Sequence, residues 1–79
     1  MQLTTELAQK MWHALNTKYF DRKLQPLTIT VSHRKAMLSL GKYSVAKRKI
    51  VLNTNNGETP LYCIRRTLIH EMIHQYVHE

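Results

Sequence analysis

Two histidines four residues apart with a glutamate between them, His70, Glu71 and His74, are the residues of this sequence best suited to chemistry. On an α-helix, positions i and i+4 project from one side with about 6 Å of rise between them, so both imidazoles reach a single tetrahedral zinc ion. Glu71 sits one step of about 100° round the helix from His70, displaced from the pair, where its carboxylate reaches a water held on the metal and takes its proton. Zinc explains why these residue types are needed: water bound to it has a pKa of about 7 against about 15.7 in bulk, and the same ion polarises a peptide carbonyl. The HExxH pattern therefore predicts hydrolysis of peptide bonds, with His70 and His74 as ligands and Glu71 as general base. The pattern also arises by chance on surface helices; here it falls mid-helix, opposite an apolar stripe.

A catalytic zinc takes three protein ligands and leaves the fourth position to water. His78 shares the histidine face but stands about 12 Å along the helix axis from His70, and Cys63 stands about 10 Å away on the other side. His13 and His33 could approach only through the fold, and read first as surface or packing histidines. Glu79 points elsewhere on the helix. The third ligand is expected beyond Glu79.

The helix that carries the motif is predicted from Pro60 to near the end of the chain, with Thr59 as its cap and proline at a position where no amide is needed. Leu61, Ile64, Leu68, Ile69, Met72, Ile73 and Tyr76 fall on one broad arc, expected to be buried, and His70, His74 and His78 on the opposite one. Tyr76 is thereby assigned to the core and left out of the site. A first helix is predicted from about Leu3 to Phe20, where Leu3, Leu7, Met11, Leu15 and Tyr19 recur every four residues beside Ala8, Trp12 and Phe20. Trp12, Met11 and Met72 lie on these stripes and read as core.

Between the helices, Leu27, Ile29 and Val31 alternate with polar residues as in a half-buried strand. A second short strand is expected around Leu40 to Val45. A third, Lys49 to Leu52, stops at the turn formers Asn53, Asn55, Asn56 and Gly57. The expected fold is α+β: a helix, a three-stranded antiparallel sheet and an active-site helix, forming one domain over residues 1–79.

A chain of 79 residues buries only about 60% of the surface its unfolded form exposes, so a bound metal would help it fold. Its 43% hydrophobic content is ordinary for a globular domain, and its apolar runs are too short to cross a bilayer. Met1 to Glu6 has no signal-like pattern and Cys63 has no internal partner, which favours an intracellular setting, cytoplasmic or, in a eukaryote, nuclear. The formal net charge is +7, and no acidic residue occurs between Asp21 and Glu58. That stretch holds Arg22, Lys23, Arg34, Lys35, Lys42, Lys47, Arg48 and Lys49, a field that attracts polyanions such as DNA with an affinity that falls as salt rises. Arg34, Lys35, Lys42, Lys47, Arg48 and Lys49 are the candidate nucleic-acid contacts; a merely solvated basic surface is the alternative.

Several blocks taken together resemble the SprT-like metallopeptidases, among them the Spartan-type proteases. They are a first helix ending in Tyr19-Phe20-Asp21 with Leu24, the strand Leu27 to Val31 followed by Arg34, the glycine in Ser39-Leu40-Gly41-Lys42, the strand Ile50-Val51-Leu52-Asn53, and Thr67-Leu68-Ile69-His70-Glu71-Met72-Ile73-His74. The resemblance implies a zincin-like domain in which a helix and a small antiparallel sheet support the active-site helix and an edge strand borders the substrate groove. It implies that His70 and His74 match the family's first two zinc ligands and Glu71 its catalytic glutamate, with the third ligand a downstream histidine. Many members also carry a cysteine-rich zinc module, which these residues do not contain, so the expectation is a domain truncated after the HExxH helix or a degenerate relative. Some members degrade proteins crosslinked to DNA, which the basic stretch would suit. Two rivals stay open: a nucleic-acid-binding module with a vestigial motif, and a metal-dependent interaction domain whose partner supplies the absent ligand.

Overall fold

The computed structural model describes residues 3–33, 41–54 and 59–79. Five elements follow in chain order: α1 (Thr5–Tyr19), β1 (Thr28–Ser32), β2 (Gly41–Ser44), β3 (Lys49–Asn53) and α2 (Leu61–His78). The chain is α+β, with two helices and a three-stranded sheet.

Helix α1 starts later than its apolar spacing suggested because Thr4 caps it, its hydroxyl accepting the Leu7 amide at 3.1 Å. Leu3 stays buried although it precedes the helix. Glu6 in the first turn and Lys18 in the last oppose the helix dipole with the favourable signs. Past α1 the chain turns through Asp21 and Arg22, both in the left-handed region at φ 52° and 59°. The Asn16 side chain then clasps the Leu24 peptide in both directions, accepting its N–H and donating to its carbonyl at 3.1 Å each. That pins the loop from which β1 departs.

The sheet is mixed, not antiparallel as expected: its order is β1-β3-β2, with β1 parallel to β3 and β2 antiparallel to it. The reason is topological. Strand β3 carries Ile50 and Leu52, both fully buried, and so takes the centre. The four-residue turn 45–48 makes β2 its antiparallel neighbour. The chain reverses once between β1 and β2 and again between β2 and β3, which restores the direction of β1. Placed on the other edge of β3, β1 must run parallel to it.

The registers Ile29↔Ile50, Val31↔Leu52, Gly41↔Leu52 and Tyr43↔Ile50 put these residues on one face of the sheet. The helices cover that face with Ala8, Trp12 and Leu15 from α1 and Ile64, Leu68 and Met72 from α2, and Leu24 closes one end of the core. Met11 is half-buried against this cluster.

Helix α2 begins without the expected threonine cap. Pro60 is the N-cap residue, no side chain caps the helix, and the Thr59 amide bonds instead to the Thr54 carbonyl at 3.0 Å. No helix among the described residues is long and apolar enough to cross a membrane.

Candidate functional site

Gly41 sets the distance between sheet and helix at the site. A Cβ built there would collide with Thr67 Cγ2 and lie 3.4 Å from Glu71 Cγ, so only a residue without a side chain lets β2 approach α2 this closely. The approach buries Glu71, which is 8% exposed. Its carboxylate has no hydrogen-bond or ion-pair partner among the described residues, and it opens on a groove of about 260 Å³ lined by Gly41, Lys42, Tyr43, Val45, His74 and His78. Among the described residues β2 is an edge of the sheet, so the groove runs along that edge.

His70 and His74 are both exposed, and their rings meet edge to face with centroids 4.9 Å apart. Their Nε2 atoms are 3.3 Å apart. If one ring carries its proton on Nε2, that distance is an N–H···N hydrogen bond. It is also the chord that two ligands at about 2.0–2.1 Å subtend at a tetrahedral zinc, about 3.3 Å. The spacing of the two nitrogens alone matches that of two ligands on one zinc ion. No group of three His, Cys, Asp or Glu residues able to hold a metal is found among the described residues.

The other histidines are occupied elsewhere. His78 stacks on Tyr43 across the groove at 6.3 Å between centroids, His13 packs on the Trp12 indole at 4.9 Å, and His33 Nδ1 lies 2.6 Å from the Thr54 hydroxyl. Cys63 is half-buried in the first turn of α2.

The buried side of α2 differs from the arc its apolar residues predict. Ile64, Leu68, Glu71, Met72 and Gln75 are buried, and Gln75 is 0% exposed. Tyr76, expected in the core, is 52% exposed, and Ile73 and Val77 are 50% and 71% exposed. Gln75 was not a candidate on sequence grounds; a glutamine at position i+4 from the presumed base, among apolar neighbours, was the available signal. Its amide carbonyl accepts the Trp12 indole N–H at 3.2 Å, and its amide nitrogen donates to the Gln25 carbonyl at 2.8 Å and to Glu79 Oε2 at 2.5 Å.

Of the basic candidates, Arg34 and Lys35 lie outside the described residues. Lys42 is exposed on β2, Lys47 and Arg48 are exposed in the following turn, and Lys49 is half-buried at the start of β3. The Arg48 guanidinium is committed to the Glu79 carboxylate at 3.4 Å. At the far end of α1, Arg65 donates to the Tyr19 phenol at 3.3 Å, and this hydrogen bond, with Lys18 beside it, holds the phenol below its ordinary pKa of 10.0.

No curated protein and no solved structure matches this chain. The family model of SprT-like proteins matches residues 8–79, which takes in most of α1, all three strands, Gly41 and the whole of α2 with its histidine pair. The chain belongs to the SprT-like family.

Proposed function

We propose that this chain is the zinc-binding and base-bearing part of a metallopeptidase, with His70 and His74 as two of the metal's protein ligands, Glu71 as general base, and the third ligand drawn from outside the described residues. The observation that carries the reading is the 3.3 Å spacing of the two Nε2 atoms beside the buried Glu71 on the same helix. When bound, zinc lowers the pKa of a coordinated water to about 7 and polarises a peptide carbonyl. Glu71 accepts the proton of the attacking water as the C–O bond forms, and delivers it to the leaving amine as the C–N bond breaks. Its shelter between β2 and α2 keeps it aimed along the groove. The edge of β2 offers backbone N–H and C=O groups with which an extended peptide pairs as an added strand, so the groove suits an unfolded or looped protein segment.

The test uses zinc content and cleavage together. Zinc per chain is expected to be near stoichiometric for the parent protein and lost in His70→Ala. Glu71→Gln is expected to keep zinc and to lower peptide cleavage about 10²- to 10⁴-fold, the range a general base supplies. Cleavage undiminished in Glu71→Gln would sink the assignment of the base; zinc retained in His70→Ala would sink that of the ligand.

A further inference from the structure

Helix α2 sits in the domain at a rotation its apolar side chains do not choose. At about 100° per residue, the buried residues form an arc centred on Gln75, and the apolar arc of Leu61, Ile64, Leu68, Ile69, Met72, Ile73 and Tyr76 is centred about 65° away. Leu68 and Met72 belong to both arcs and stay covered in either orientation. Ile64 favours the observed one, in which Ile69 is half-buried against the core, whereas Ile73 and Tyr76 favour the other. In the observed one Ile73 and Tyr76 remain exposed. Burial of apolar surface thus leaves the rotation undecided or opposes it.

What the observed rotation does satisfy is a polar pair at four-residue spacing, Gln75 and Glu79, on the side facing the rest of the chain. Gln75 reaches Trp12 on α1 and the Gln25 carbonyl in the loop before β1. Glu79 accepts the Gln25 amide at 2.8 Å and Arg48 at 3.4 Å. Turning α2 toward its apolar arc would break these bonds and strand a buried indole N–H, a buried amide and a peptide carbonyl. The consequence reaches the histidines. In the observed orientation the midpoint of His70 and His74 lies about 125° from the centre of the buried arc, on the shoulder beside β2; with the apolar arc inward it would lie about 170° away, facing open solvent.

We propose that Gln75 is a positioning residue that fixes the rotation of α2 through Trp12, Gln25 and Glu79, and so turns His70 and His74 from the solvent side toward the groove along β2. The proposal rests on the metal and base roles assigned above. It is tested in the Cys63→Ser chain carrying a single thiol, at Tyr76→Cys or at Thr67→Cys, each with Gln75 and with Gln75→Leu. Thiol labelling rates report the rotation. Gln75→Leu is expected to slow labelling at Tyr76→Cys, which becomes covered, and to speed it at Thr67→Cys, which swings away from Gly41. Zinc titrated by competition is expected to bind about 10- to 100-fold more weakly, the range seen when support of a metal ligand is removed. Trp12→Phe, which deletes one of the bonds and keeps the ring, is expected to move the rates the same way by less, and is read instead if Gln75→Leu does not fold. Unchanged rates with unchanged zinc affinity overturn the proposal. So do rates that rise together, because the helix is then loosened and not turned. Opposite changes in a parent chain that binds no zinc would uphold the rotational role and remove the metal reading alone.

Discussion

The two helices of this domain follow different rules. Helix α1 buries Ala8, Trp12 and Leu15 from its apolar stripe and one polar residue, Asn16, leaves Tyr19 exposed at its end, is capped by Thr4, and places its end charges to suit its dipole. Helix α2 has no side-chain cap, buries Glu71 and Gln75, and leaves Ile73, Tyr76 and Val77 in solvent. One helix is there to hold the fold. The other gives up apolar burial, and such departures from local preference collect where a protein has something besides folding to do.

The largest expected effect sharpens the difference within α2. Leu68→Ala should cost about 2–5 kcal/mol, enough to unfold much of a small domain, because Leu68 is fully buried. Ile73→Ala, on the same predicted apolar arc but half exposed, should cost about 0.5 kcal/mol or less. Urea denaturation of the two variants measures both, and comparable losses would mean that α2 is an ordinary amphipathic helix after all.

Next comes the seam between β2 and α2. Gly41→Ala forces a methyl against Thr67 Cγ2 and should cost about 1–3 kcal/mol, as overpacking does. The same change should slow peptide cleavage, since Glu71 Cγ is the second atom the methyl meets. A variant of unaltered stability would mean that the strand yields freely and that the seam holds nothing in place.

The smallest effect compares the two helix starts. Thr4→Ala should cost about 1 kcal/mol through loss of the cap. Thr59→Ala, whose hydroxyl caps nothing, should fall within about 0.5 kcal/mol of the parent. Equal costs would show that both helices are capped alike in solution.

These contrasts also mark what could be read from the residues alone. The five elements, the core positions of α1 and the spacing that brings His70 and His74 onto one side of a helix all follow from periodicity and turn chemistry, which act over a few neighbours. The direction of β1 did not, because alternation of Leu27, Ile29 and Val31 is the same whichever way the strand runs; only the central place of β3 decides it. Nor did the rotation of α2, since Ile69, Ile73 and Tyr76 outweigh Ile64 on a helical wheel, and the partners that overrule them, Trp12 and Gln25, are distant in sequence. The enclosure of Glu71 depends on Gly41, whose value lies in a contact no local pattern contains.

The bond from Trp12 to Gln75 joins residues 63 positions apart, and that from Gln25 to Glu79 joins residues 54 apart. Synthesis therefore delivers the first half of this clamp long before the second. While the chain is still being made, this clamp on α2 cannot close until residues 75 and 79 have emerged and can reach back to Trp12 and Gln25. The bearing of α2, and with it that of the histidine pair, is therefore set by the last residues of the described chain to be made.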